Sequence, residues 1–309
     1  MTTTAFITHR DCWLHNMGEM HPECPDRLGA INDRLIAAGL DMYITFHDAP
    51  LATREQIIRV HPESYLDELF NSVPEHGIRH LDPDTAMSPG TMKAALRSAG
   101  AGILATDLVM AGEIENAFCA VRPPGHHAEI AKAMGFCFLN NVAIAARHAL
   151  VAHGLERVAV VDFDVHHGNG TEDIFRHDPR VMMAGIFQHP FYPYSGADNP
   201  PAHMCNVPLP AGTRGEGFRQ AFGDVVVPAL RSHNPQMIFI SAGFDAHYED
   251  DMGSMGLVEA DYVWATEQIR EVARYCGHSR IVSLLEGGYS LSALGRSAAE
   301  LQWDLNYML

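Results

Sequence analysis

Short apolar runs alternate along the chain with longer stretches in which apolar residues recur every three or four positions. Asn116–Val121, Arg157–Val161, Val181–Phe187, Met237–Ser241 and Ile281–Leu285 are brief and rich in Val and Ile, and most are soon followed by Gly or Pro. That pattern predicts strands buried on both faces. Between them, Thr91–Ala111, Asn141–His153, Glu216–Ser232 and Glu259–Cys276 carry apolar residues at helical spacing. Strand–helix alternation of this kind predicts an α/β fold. Its central, mostly parallel sheet is joined by right-handed crossovers and has helices on both faces.

Composition narrows this picture only slightly. No repeat or low-complexity linker divides the 309 residues, so 1–309 reads as a single domain. A formal net charge of −17 argues against a nucleic-acid partner, which would need clustered Lys and Arg. The six cysteines are scattered, without a CxxC pair, and suit a reducing, cytoplasmic setting. Met1–Cys12 lacks a basic segment followed by an apolar one, so no signal peptide is expected. The apolar stretches are broken by polar residues, so no membrane span is expected either.

The residues after each strand carry the chemistry. Asn116–Val121 leads into Arg122-Pro-Pro-Gly-His126-His127, and Arg157–Val161 into Asp162-Phe-Asp164-Val-His166-His167-Gly-Asn169. Met237–Ser241 leads into Ala242-Gly-Phe-Asp245, and Ile281–Leu285 into Glu286-Gly-Gly-Tyr289. In open parallel sheets the C-terminal edge is where ligands bind. Four strands delivering polar residues to that edge imply a built site.

Asp162, Asp164 and His166 are two apart, which on an extended segment puts them on one face. Burying three ionisable groups there is costly unless they pair or hold a metal. Asp164 and His166 are the expected ligands nearest the loop, and Asp245 is the best-placed third. One imidazole and two carboxylates leave a coordination position open, as in catalytic zinc sites, and oxygen-rich ligation also tolerates Fe(II), Co(II) or Mn(II). His126 and His127 offer a general base and its partner, with Asp162 and Asn169 available to fix their tautomers. Tyr289 follows two glycines that allow a sharp turn, and a phenol there can donate to a developing oxyanion. For the paired histidines alone an ordinary polar loop is the plainer reading, and for Tyr289 a core tyrosine. His9, His15, His47, His148, His177 and His233 are expected to be surface or capping residues.

Five segments, 122–128, 135–141, 162–170, 241–247 and 285–289, together resemble the histone deacetylase superfamily over nearly the whole chain. The wording, including His21-Pro-Glu23, is most similar to class II enzymes and their bacterial relatives. The resemblance implies the arginase–deacetylase fold and a zinc-dependent amide hydrolase. It implies Asp164, His166 and Asp245 as zinc ligands, His127 as general base, His126 as its partner paired to Asp162, and Tyr289 as the transition-state donor. Asn169 stands where class I members have aspartate. Phe136 and Tyr192 match the aromatic walls of the acyl-lysine tunnel, and Arg27 matches an arginine at an internal acetate channel.

The resemblance also implies a potassium ion held by the carbonyls of Asp162, Asp164 and His166. Gly185 stands where the family has a serine ligand, so that hydroxyl is missing. The substrate is expected to be an acylated lysine in a protein or peptide, with an acetylated polyamine as the alternative. Polyamine-selective members place a glutamate at the rim where this chain has Met252, although Glu249, Asp250 and Asp251 are close by. A catalytically idle acyl-binding module would lack reason for so full a set of groups. A binuclear manganese hydrolase of arginase type would need an Asp-x-Asp pair where Asp245 stands alone. Neither acyl-chain preference nor oligomeric state is legible.

Overall fold

In the computed structural model, which describes residues 4–198 and 200–306, the strands are β1 (Thr4–Thr8), β2 (Ile44–Asp48), β3 (Arg79–His80), β4 (Ala86–Met87) and β5 (Asn116–Cys119). They continue as β6 (Val158–Asp162), β7 (Val181–Gln188), β8 (Met204–Leu209), β9 (Ile238–Ala242) and β10 (Ile281–Leu285). Strands β3 and β4 form a small antiparallel ribbon. The other eight form one sheet in the order β2-β1-β5-β10-β9-β6-β7-β8, with every pairing parallel. The expected "mostly parallel" sheet is therefore wholly parallel.

Every residue of β5, β6, β7, β9 and β10 is buried, which is why these strands read as continuous apolar runs. Strand β8 lies at the sheet edge, where Pro208 costs no ladder hydrogen bond. Helices Thr91–Ala111 and Asn141–Ala152 pack on each other and on the central strands, while Asp26–Ala37, Glu259–Tyr275 and Leu291–Asn306 form a second packed group. Thr91–Ala111 has the length and apolar composition of a membrane span, but it is a core helix of the fold. Its apolar stretch is 61% buried within the protein, packed against β1, β5 and β10.

The expected helix Glu216–Ser232 is three helical pieces in succession: Gly215–Ala221, a π turn at Phe222–Val226, and Val227–His233. Pro228 lacks the N–H that would continue the ladder, and the wider turn precedes it.

The sheet order matters most for function. The four strands flagged by their polar C-terminal ends are four neighbours, β5-β10-β9-β6, at the centre of the sheet. At about 4.8 Å per strand, their ends fall within roughly 15 Å of one another.

Candidate active site

The loop after β6 leaves the strand at Asp162, so Asp164 and His166 do not continue an extended segment as expected. Instead two side chains bend the backbone in succession. Asp162 Oδ1 accepts from Asp164 N at 3.1 Å, and Asp164 Oδ1 accepts from His166 N at 2.9 Å. These i to i+2 bonds are the Asx-turn habit of aspartate. They still bring the expected trio of ligands together.

Asp164 Oδ1 lies 2.9 Å from His166 Nδ1, and Asp245 Oδ2 lies 3.2 Å from the same nitrogen. Gly287 N donates to Asp164 Oδ2 at 2.8 Å, and Val165 N donates to Asp245 Oδ1 at 2.9 Å. Asp245 Oδ2 is buried without a hydrogen-bond partner. A Cβ on Gly287 would collide with both carboxylates, so only glycine lets β10 close over the cluster.

The electrostatics ask for a cation. Burial and the charge of Asp164 push Asp245 up to about 7. Against the cost of burial, Asp164 and Asp245 raise His166 to about 10. A proton thus stands where two carboxylates converge on one nitrogen. The orphaned Oδ2 and this held proton fit a divalent metal, in a set that matches zinc chemistry.

The histidine pair stands beside this cluster. His126 Nδ1 lies 2.9 Å from Asp162 Oδ2, and His127 Nδ1 lies 2.7 Å from Asn169 Oδ1. Asn169 Nδ2 donates to Glu129 Oε1 at 2.8 Å, which fixes the amide so that its oxygen faces His127. His127 Nδ1 must then donate, leaving Nε2 as the free basic nitrogen. Burial, with the neighbouring charges of His126 and His166, holds His127 well below the ordinary histidine value. His126 is buried as well, but Asp162 and Asp164 outweigh that and raise it well above.

Sequence reasoning gave Glu286 no role of its own. Its buried Oε2 accepts from Gly125 N at 2.6 Å and His126 N at 3.1 Å, while Ser241 Oγ donates to Oε1 at 3.0 Å. One carboxylate therefore ties the histidine loop to β9 and β10. The usable signal was a charged residue directly after an apolar strand. Glu286→Ala is expected to lower kcat at least tenfold with little change in KM, and Glu286→Gln, which keeps an acceptor for both amides, to recover most of it. Steady-state kinetics on both variants check this; equal losses would remove the positioning role.

Tyr289 follows Gly288, whose φ of +114° only glycine adopts readily. Asp250 Oδ2 accepts from Tyr289 N at 2.6 Å and from Ser290 N at 2.9 Å. Arg27, fully buried, donates from Nε to Gly288 O at 2.7 Å and from Nη2 to Glu286 O, with Cζ 4.9 Å from the Tyr289 ring centre. Burial raises the Tyr289 phenol well above its ordinary value, so it stays a neutral O–H donor.

His127, His166 and Tyr289 open into a pocket of 330 Å³ walled by Phe136, Phe191, Tyr192 and Met252. Phe136 has a φ of +68°, a strained setting held by Phe136 N donating to Thr85 Oγ1 at 3.1 Å. Of the three acids near Met252, Glu249 pairs with Arg296 at 2.7 Å and Asp250 is buried under the Tyr289 turn. Asp251 alone of them lines the pocket, joined by Asp84 from another loop, whose carboxylate accepts from Thr85 Oγ1 at 2.9 Å. A larger open groove of 930 Å³ beside Arg214, Arg219 and Asp261 gathers no comparable set.

Two histidines depart from expectation. His15 is buried with Nδ1 2.8 Å from Thr91 Oγ1, and His148 is buried against Asp107, because each finds a polar partner inside a helix contact. His9 caps a short 3-10 helix, as expected. Gly185 pairs with Asp162 across β6 and β7, opposite one of the carbonyls expected to hold potassium.

Comparison with known proteins places these features. Residues 21–305 match the histone deacetylase domain. The chain is 39% identical over 277 residues to the histone deacetylase-like amidohydrolase of Pseudomonas aeruginosa, covering 87% of this chain and 73% of that one. It is 35% identical over 317 residues to a probable deacetylase of Archaeoglobus fulgidus, covering 98% and 88%. The crystal structure of the HDA15 HD domain superposes with a TM-score of 0.92 at 32% identity, covering 99% of this chain and 90% of that one.

Proposed function

The chain belongs to the histone deacetylase family and is a deacetylase-type hydrolase, and from that premise we propose that it cleaves the amide of N-acyl-lysine side chains. The observation that carries this reading is the convergence of Asp164, His166 and Asp245 with His127 and Tyr289 at the base of one aromatic-walled pocket. In our reading residues 1–309 act as one catalytic domain.

Asp164, His166 and Asp245 would hold a single zinc ion, or Fe(II) or Co(II) in its place. Such an ion supplies Lewis acidity toward the amide carbonyl and lowers the pKa of an attacking water. His127 Nε2, kept neutral by burial, takes that water's proton. His126, charged beside Asp162, stabilises the negative charge that develops and supplies a proton to the departing amine. Tyr289 donates its O–H to the carbonyl oxygen as it becomes an oxyanion. Phe136 and Tyr192 flank the methylene chain and exclude water. Arg27 fixes the turn beneath Tyr289 through Gly288 O, and by resemblance to the family would sit at an acetate exit channel. Potassium would bind through the carbonyls of Asp162, Asp164 and His166 without a hydroxyl at Gly185. Six free thiols suit a reducing compartment such as the cytoplasm.

An apolar Met252 on the wall favours acyl-lysine, because a second ammonium would need an acidic partner there. Asp84 and Asp251 in the same pocket favour the second reading, an acetylated polyamine. Kinetics on an acetyl-lysine peptide and acetylated spermidine, measured side by side, decide between them. The expected ratio of kcat/KM favours the peptide, and Met252→Glu is expected to move it at least tenfold toward the polyamine. An unmoved ratio would remove Met252 as the selecting residue.

A further inference from the structure

On the far side of helices Thr91–Ala111 and Asn141–Ala152, a second group of ligand-type residues converges. Asp107 Oδ1 lies 2.7 Å from His148 Nε2 and 2.7 Å from His153 Nε2. One potential ligand atom from each residue falls within 4.8 Å of the other two. His148 is buried, while Asp107 and His153 are partly open to water. None of the three touches the reaction pocket.

The geometry points to a second divalent-cation site, taking a borderline-soft ion such as zinc through both Nε2 atoms and an Asp107 oxygen. Two imidazoles and a carboxylate are a donor set that suits zinc, with water free to complete the shell on the exposed side. Without an ion, one carboxylate oxygen serves two imidazole N–H groups. Zinc bonds of about 2.0–2.1 Å would set the ligand atoms roughly 3.3 Å apart, so the trio must open by about 0.6 Å. The Asp107 side chain is 48% exposed and free to turn outward by that much.

Arg59 opposes the ion. Its Nη1 lies 3.5 Å from His148 Nδ1, which favours the tautomer with hydrogen on Nε2, while Glu55 holds its Nη2 at 2.8 Å. Zinc needs the other tautomer, with Nε2 bare. Removing Arg59 should therefore tighten the site, whereas removing Asp107 or His153 should abolish it.

The test is calorimetric titration of zinc into enzyme already loaded at the Asp164–His166–Asp245 cluster. Wild type is expected to bind one further equivalent and to gain several degrees in Tm. Asp107→Ala and His153→Ala are each expected to lose that equivalent and its Tm gain, with kcat unchanged. Arg59→Gln is expected to lower Kd several-fold. The inference is overturned if wild type takes up no further equivalent. It is overturned equally if the equivalent survives both alanine variants, which would place it on free thiols or other histidines, or if Arg59→Gln weakens it.

Discussion

Tyr289→Phe is expected to lower kcat on an acetyl-lysine peptide by roughly 10²–10³-fold, the cost of one lost oxyanion donor. The substitution removes only the hydroxyl. The ring keeps its edge contact with Phe136 at 5.9 Å and its place under Arg27, whose Cζ is 4.9 Å from the ring centre. The turn that presents it is held through the backbone, by Asp250 accepting from Tyr289 N and Ser290 N. Metal content, Tm and KM should therefore stay close to wild type while turnover collapses. Burial keeps the phenol protonated far into the alkaline range, so the loss should be the same across neutral pH. The same factor is expected on acetylated spermidine, because the donor addresses the carbonyl and not the rest of the chain. Near-wild-type turnover on either substrate would dismiss the role.

What the sequence discloses is governed by burial on both faces of a strand. Strands β5, β6, β7, β9 and β10 were legible because every residue in them is buried and most are apolar. Strands β1 and β2 were not: β1 is five residues at the start of the chain, and β2 is an edge strand with exposed Thr45 and Phe46. Neighbour relations were also hidden. Nothing in the order of the motifs says that β5, β10, β9 and β6 lie side by side, yet that adjacency carries Asp245 and Tyr289 to Asp164. Asp164, His166 and Asp245 could be named from spacing because few other arrangements tolerate such groups at the end of apolar strands. The positioning work of Glu286, Asp250 and Asp84 escaped because it is done on backbone amides or a neighbouring hydroxyl, contacts that leave no periodic trace.

Metal removal should make stability fall as pH rises, the reverse of the ordinary effect of ion-paired carboxylates. In the metal-free fold Asp245 is pushed by burial and by Asp164 to about 7, from an ordinary 3.8. His166, in spite of burial, is raised by Asp164 and Asp245 to about 10, from 6.5. Both groups hold protons in the folded state that the unfolded chain releases. At these two positions the folded state binds more protons from about pH 4 to about pH 10. Burial lowers His15, His61 and His127, which work the other way below about pH 6.5, so the net decline is expected above that pH. Asp164 is shifted the other way, but its window lies below its ordinary 3.8 and leaves this range untouched. A divalent ion replaces those protons, so its binding should release protons and strengthen with pH. Melting curves of metal-free and zinc-loaded enzyme from about pH 7 to about pH 9 should diverge, the metal-free Tm declining and the loaded Tm nearly level. Asp245→Asn sharpens the comparison. It removes one of the two carboxylates that hold the proton on His166 and the titrating carboxyl itself, so it should abolish the zinc-dependent gain and make the metal-free decline shallower, His126 and Glu286 still contributing. A variant that lost zinc but kept the full decline would mean that other groups carry the pH dependence, and that the cluster of Asp164, His166 and Asp245 is not where charge is stored.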